Sequence, residues 1–211
     1  QALARLKRCF SPAKLGHTGT LDPFASGLLL VLVNRATRLS DFLGAGEKLY
    51  QATLALGRAT DTGDLTGRTV AEAPVPPLTP ARVAEALAEL VGERMQAPPA
   101  YSAAKHQGRP LYAYARQGEP VAKPPRPIRV SEASLLALEG ERVEFRVACS
   151  RGTYVRSLGE DLARKLGGEG HLAALRRLGS APFGVAEALG LEEALALSPA
   201  ELAARLVPPA V

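Results

Sequence analysis

Asp22 stands in the stretch KLGHTGTLDPFASGLLLVLV, residues 14–33, between a glycine-rich segment and a run of pure hydrocarbon. A carboxylate held there on a stiff loop can serve as a nucleophile or a base. The Asp22-Pro23 step supplies stiffness, because proline restricts the preceding residue to an extended backbone. Gly16, Gly19 and Gly27 permit sharp turns and close approach to a ligand. An Asx turn that only closes the loop uses the same residue types, and from spacing alone the two readings stand level. His17, on the same glycine-flanked loop, fits a general base, a metal ligand or a stacking plate. No second His or Cys lies at ligand spacing, which weakens the metal reading. GHTGT lacks the lysine and spacing of a phosphate loop.

Two further clusters carry charged groups. DTGD, residues 61–64, fails the template of a calcium loop and reads better as turn stabilisation. CSRGTYVRSLGEDL, residues 149–162, runs from a strand through Gly152 into a helix. Tyr154 and Arg156 are two apart and would share a face in extended backbone. A helix start is a poor place for a cation, so Arg156 calls for a specific partner. Beside an aspartate it would orient the carboxylate and keep it ionised.

The elements that must hold these groups follow from pattern. Residues 2–10 read as a short basic helix, 27–33 as one buried strand, 36–46 as a helix closed by glycine and 48–57 as an alternating strand. Residues 58–67 are turn chemistry and 71–80 a proline-rich linker. Thr79-Pro80 then caps a helix with apolar residues at 83, 86, 87, 90 and 91. Strands are expected at 127–138 and 142–149, and helices at 156–166 and 170–177. SPAE, from Ser198 to Glu201, is a capping box. Neighbouring strands with irregular helical insertions predict an α+β fold with a mixed, largely antiparallel sheet.

Composition narrows the partner. Lys and Arg total 26 against 21 acids, a net charge of +5 over 211 residues, which permits a polyanionic partner. The excess concentrates between 101 and 130, where six basic residues meet a single acid and three of the five tyrosines. Lys105, Arg109 and Arg116 interleave with Tyr101, Tyr112 and Tyr114, a pattern that tracks phosphates and stacks bases. Glycines and prolines nearby suggest a mobile arm that orders on RNA. The two cysteines, Cys9 and Cys149, stand outside any ligand spacing, so free thiols in a reducing cytoplasm are expected. The longest apolar run, 28–33, is too short to span a bilayer, and no membrane partner is expected.

Five blocks, in order, resemble the bacterial TruB family of tRNA pseudouridine synthases: GHTGTLDPFASGLL, KLYQATLALGRATDTGD, PPAYSAAKHQGRPLYAYARQG, CSRGTYVRSLGEDL and GHLAALRRL. The resemblance spans about residues 4–180. It implies a pseudouridine synthase fold with a central active-site cleft, and isomerisation of the T-loop uridine of tRNA. It implies that Asp22 is catalytic, that Arg156 pairs with it, and that Tyr50 stacks on the target uracil and serves as the base for its C5 proton. Tyr154 and Leu175 would line the pocket, His17 would enter the T loop, and 101–123 would be an RNA-clamping insertion. Residues 1–180 would form the catalytic core and 181–211 a helical extension of the same domain. The family's Lys-Pro-x-Gly segment and its C-terminal PUA domain have no counterpart among these blocks, so a catalytic core is expected.

The isomerisation cuts the N1–C1′ bond, turns the base and joins C5 to C1′. A carboxylate can attack base or sugar, or take a sugar proton. No redox change occurs and no group is imported, so no cofactor and no metal are expected. The expected partner is the tRNA T stem-loop, met by a monomer with no obligate protein partner. Alternatives are an RNA-guided H/ACA-type subunit, whose corresponding motif lacks the GHTG histidine, and a tRNA-binding or folding module with impaired catalysis. A glycoside hydrolase would need a second acid beside Asp22, and only Asp61 and Asp64 are candidates.

Overall fold

The computed structural model describes residues 2–10 and 13–208. In chain order, helix α1 (Ala2–Cys9) leads to strands β1 (Leu15–His17), β2 (Ser26–Gly27) and β3 (Val31–Val33). A 3-10 turn (Asn34–Leu39) and helix α2 (Ser40–Ala45) follow, then β4 (Lys48–Leu56), β5 (Arg58–Thr60) and β6 (Thr69–Glu72). Helix α3 (Pro80–Ala88) precedes β7 (Gly92–Gln96), the small strands β8 (Lys105–His106) and β9 (Arg109–Pro110), and helix α4 (Leu111–Ala115). The long pair β10 (Arg126–Glu139) and β11 (Arg142–Cys149) leads into α5 (Val155–Lys165) and β12 (Gly170–Ser180). Strand β13 (Phe183–Gly184), helix α6 (Leu191–Ala196) and helix α7 (Pro199–Ala204) complete the described chain.

One seven-stranded sheet organises the molecule, in the order β13-β12-β4-β11-β10-β7, with β2 attached to β12. Its pairings are antiparallel except β2 with β12, as the predicted α+β class requires. β4 lies inside the sheet and alternates strictly, burying Lys48, Tyr50, Ala52, Leu54 and Leu56 on one face. Period-two alternation of this kind places one whole face of a strand in the core. Leu54 belongs with Val83 and Leu87 of α3 and Leu158 and Leu162 of α5 to the main apolar cluster. A smaller cluster joins Leu6 of α1 to Ala194 of α6 and Leu202 of α7, and Arg5 pairs with Glu192 at 2.7 Å. Thr79 and Ser198 cap α3 and α7 as predicted, the latter through a complete capping box with Glu201.

Four predicted elements are corrected. Residues 170–177 form a strand, not a helix. Alanine, leucine and arginine favour helix, but pairing along β4 overrides propensity. A register shift between Leu172 and Ala174 places buried Leu172 and Leu175 three apart, a spacing that imitates a helix. The run 27–33 is not one strand. Gly27 has φ +98° and a Cβ there would lie 2.2 Å from the Arg177 carbonyl, so the chain leaves β12 and rejoins a separate pair, β1 with β3. The segment 58–67 is not wholly turn, since β5 pairs with β6. His17 sits in β1 opposite Val31 rather than in a loop.

Cys149 is 1% exposed, and burial pushes its thiol up to about 12. Cys9 is partly exposed. Because the thiolate is the nucleophile, iodoacetamide at neutral pH is expected to modify Cys9 alone in the folded protein and both cysteines after unfolding. Intact-mass measurement checks this, and rapid native labelling of Cys149 would contradict it.

Candidate active site

The sheet register decides which side chains meet. On β12, Leu175 lies opposite Ala52 and Arg177 opposite Tyr50, so Tyr50, Leu175 and Arg177 emerge on one buried face. The loop from Thr18 to Ala25 crosses in front of them and carries Asp22. Its carbonyl accepts from the Ala25 N–H at 2.9 Å, closing a turn around Pro23. The Asp22 side chain makes no Asx turn. It faces the first turn of α5.

There the Arg156 Nε donates to Asp22 Oδ2 at 2.8 Å and Nη2 donates to Oδ1 at 3.1 Å. Such a fork fixes the carboxylate's plane as well as its charge. The Arg156 side chain is 3% exposed against 31% for Asp22, so the carboxylate is the more accessible member of the pair. Nη1 donates to the Thr62 carbonyl, and Nη2 also donates to the Tyr101 carbonyl at 2.9 Å. Asp64, itself buried, stands 3.9 Å from Nε as a second counter-charge. Its Oδ1 accepts from the Thr66 N–H at 2.9 Å and from the Thr62 and Thr66 hydroxyls at 2.9 and 2.6 Å. DTGD is therefore turn chemistry that also delivers a carboxylate to Arg156. Arg156 lies within the helix, so a face shared with Tyr154 in extended backbone does not arise.

The cleft encloses about 660 Å³ and is lined by Asp22, Tyr50, Tyr154, Arg156 and Leu175 among others. Burial pushes the Tyr50 phenol above its ordinary value, and the Arg177 guanidinium pulls it the other way. Tyr154 is held by its backbone: its N–H donates to Gln96 Oε1 at 2.8 Å and its carbonyl accepts from Gln96 Nε2 at 3.1 Å. Lys48 closes the floor by donating to the Gly44 and Gly46 carbonyls at 2.8 and 2.6 Å. Burial lowers its basicity, and Arg177 and Arg151 act in the same direction.

Arg116 lines the cleft with its guanidinium 5.3 Å above the Tyr112 ring, and Arg109 stacks 4.8 Å from the Tyr114 ring. Lys105 is exposed on β8, in the hairpin that precedes α4. The stretch read as a mobile arm is thus a hairpin and a helix, anchored by buried Leu111. His17 is only partly exposed, its Nδ1 is buried without a hydrogen-bond partner, and it is not among the residues lining this cleft. Lys48, Gln96 and Arg177 escape sequence reading, because each acquires its place through pairing of distant strands, and the approach of Asp64 to Arg156 is likewise not visible in its turn motif. Among the described residues no group of three or more His, Cys, Asp or Glu side chains could hold a metal, and no helix is long and apolar enough to cross a membrane.

Residues 7–155 match the TruB family pseudouridylate synthase (N terminal domain). The chain is 47% identical over 204 residues to a tRNA pseudouridine synthase B of Bordetella pertussis, covering 96% of this chain and 84% of that protein. It is 48% identical over 208 residues to one from Aromatoleum aromaticum, covering 99% of this chain and 67% of that protein. A chain of a solved Cbf5-Nop10-Gar1 complex superposes with a TM-score of 0.69 at 29% identity, covering 92% of this chain and 48% of that one. With a family match over most of its length and relatives near half identical, this chain belongs to the TruB family of pseudouridylate synthases.

Proposed function

We propose that the protein is an isomerase that converts the T-loop uridine of tRNA to pseudouridine, with Asp22 as its catalytic carboxylate. One observation carries the reading: Asp22 is gripped by buried Arg156 while its side chain, 31% exposed, lines a cleft shared with Tyr50. The target base must leave its stack to reach such a site, at least cost in a loop. Tyr50 and Leu175 then enclose it, so the detached uracil does not escape. The N1–C1′ bond breaks, the ring turns, and C5 bonds to C1′. The C5 proton passes to the ionised Tyr50 oxygen as the C–H electron pair restores the ring double bond, and N1, which left C1′ with the bonding pair, takes up a proton from solvent. Tyr154 closes the pocket wall.

Lys105, Arg109 and Arg116 contact the phosphates of the T stem-loop, and His17 supports its extruded bases. Residues 101–123 act as the RNA clamp and 181–211 extend the core domain, a reading supported by the Arg5–Glu192 pair and the apolar cluster that joins α1 to α6 and α7. The protein works as a cytoplasmic monomer without protein partners. An RNA-guided role is the weaker reading, since the tRNA synthase relatives are far more similar in sequence than the Cbf5 chain.

The test is tritium release from tRNA transcribed with uridine tritiated at C5, using purified protein without guide RNA or accessory protein. Stoichiometric release of one tritium per tRNA is expected. Bound tRNA without release would leave RNA binding or folding as the function.

A further inference from the structure

Arg177 is the unexplained charge of the cleft. It is 3% exposed, and among the described residues it forms no ion pair, whereas the other buried arginine, Arg156, has two carboxylates. A buried guanidinium without a counter-ion is costly to keep and needs a compensating use. Its hydrogen bonds indicate one. Nε donates to the Leu28 carbonyl at 2.7 Å and Nη2 donates to the Gly19 carbonyl at 3.4 Å. Gly19 and Leu28 bracket the segment that carries Asp22. The Arg177 backbone holds the same segment, its carbonyl accepting from the Leu28 N–H at 2.8 Å while the strand pairs with Gly27. Across the sheet it lies opposite Tyr50.

We infer that Arg177 is a positioning residue that couples the two halves of the active site, strapping both ends of the Asp22 loop to β12 while placing its otherwise unpaired charge beside Tyr50. The inference rests on the proposed isomerase reading. The charged and titratable groups facing Tyr50 are Arg177 on β12, Cys149 on β11 and Asp22 on the loop, with Lys48 on its own strand and Arg156 on α5 lining the same cleft. Of these Arg177 is the cation that acts on the phenol, and burial, Cys149 and Asp22 oppose it. Replacing Arg177 by a neutral group therefore raises the pH at which Tyr50 ionises.

The experiment compares the parent, Arg177→Gln and Arg177→Lys by single-turnover tritium release, tRNA binding and titration of phenolate absorbance, with Tyr50→Phe subtracted to isolate one phenol. Arg177→Gln is expected to lose about a hundredfold in rate, the scale of a small misplacement of reacting groups, with tRNA affinity within about threefold. Its Tyr50 titration and the pH limb of its rate move to higher pH. Arg177→Lys keeps the charge without the fork, so the Tyr50 titration stays near the parent's while the rate still falls. A folded Arg177→Gln with parental rate and parental Tyr50 titration overturns the inference. So does loss of tRNA binding and folded structure in both variants, which would make Arg177 a fold residue only. An inactive parent instead removes the isomerase reading, so the two failures are told apart.

Discussion

Asp22→Asn is expected to bind tRNA with parental affinity and to release tritium at least about a thousandfold more slowly, the scale on which removal of a reacting group acts. Folding should survive. The asparagine oxygen still accepts from one guanidinium nitrogen, while its amide presents donors to the other. Asp64 remains 3.9 Å from Arg156 as a counter-charge, so the guanidinium is not left alone. One charged hydrogen bond is lost at a site already 31% exposed, a cost of about 1–3 kcal/mol. Single-turnover release, filter binding and a urea melt separate these effects. A variant within tenfold of the parental rate would remove Asp22 from the chemistry and leave it as a structural partner of Arg156.

That prediction uses residues whose importance is legible in the amino-acid sequence. Asp22 is legible as a candidate because an Asp-Pro step among glycines makes a stiff loop, though spacing alone leaves an Asx turn level with catalysis. Arg156 stands out because a cation at a helix start goes against the helix dipole, and the structure supplies two carboxylates that account for it. The strand β4 is legible because alternation survives in its sequence. β12 is not: its bulge spaces the buried leucines as a helix would, and residues that favour helix fill the rest. Read as a helix, that segment gives Arg177 no neighbour, and its place opposite Tyr50 is out of reach. Gln96 stays hidden for a related reason: no element is read around it, and only pairing of β7 with β10 brings it to Tyr154. Asp64 is legible as part of a turn, but its approach to Arg156 is not.

Arg156→Leu should produce the largest loss of stability among these changes. The arginine donates to two oxygens of Asp22 and to the carbonyls of Thr62 and Tyr101, so its removal loosens three chain segments at once. It also leaves Asp22 and buried Asp64 facing each other without a cation. Breaking a buried pair by deleting one partner costs about 3–5 kcal/mol, a large share of the roughly 5–15 kcal/mol that holds a domain together. Arg156→Lys distinguishes charge from geometry. Lysine keeps the cation that both aspartates need, so the urea midpoint should recover most of the loss. It has no planar fork to hold Asp22 through both oxygens, so turnover should stay depressed by at least about a hundredfold. Urea melts and single-turnover release on the two variants give the comparison. If lysine restores rate as fully as stability, Arg156 serves Asp22 by charge alone, and the fork does not orient the carboxylate.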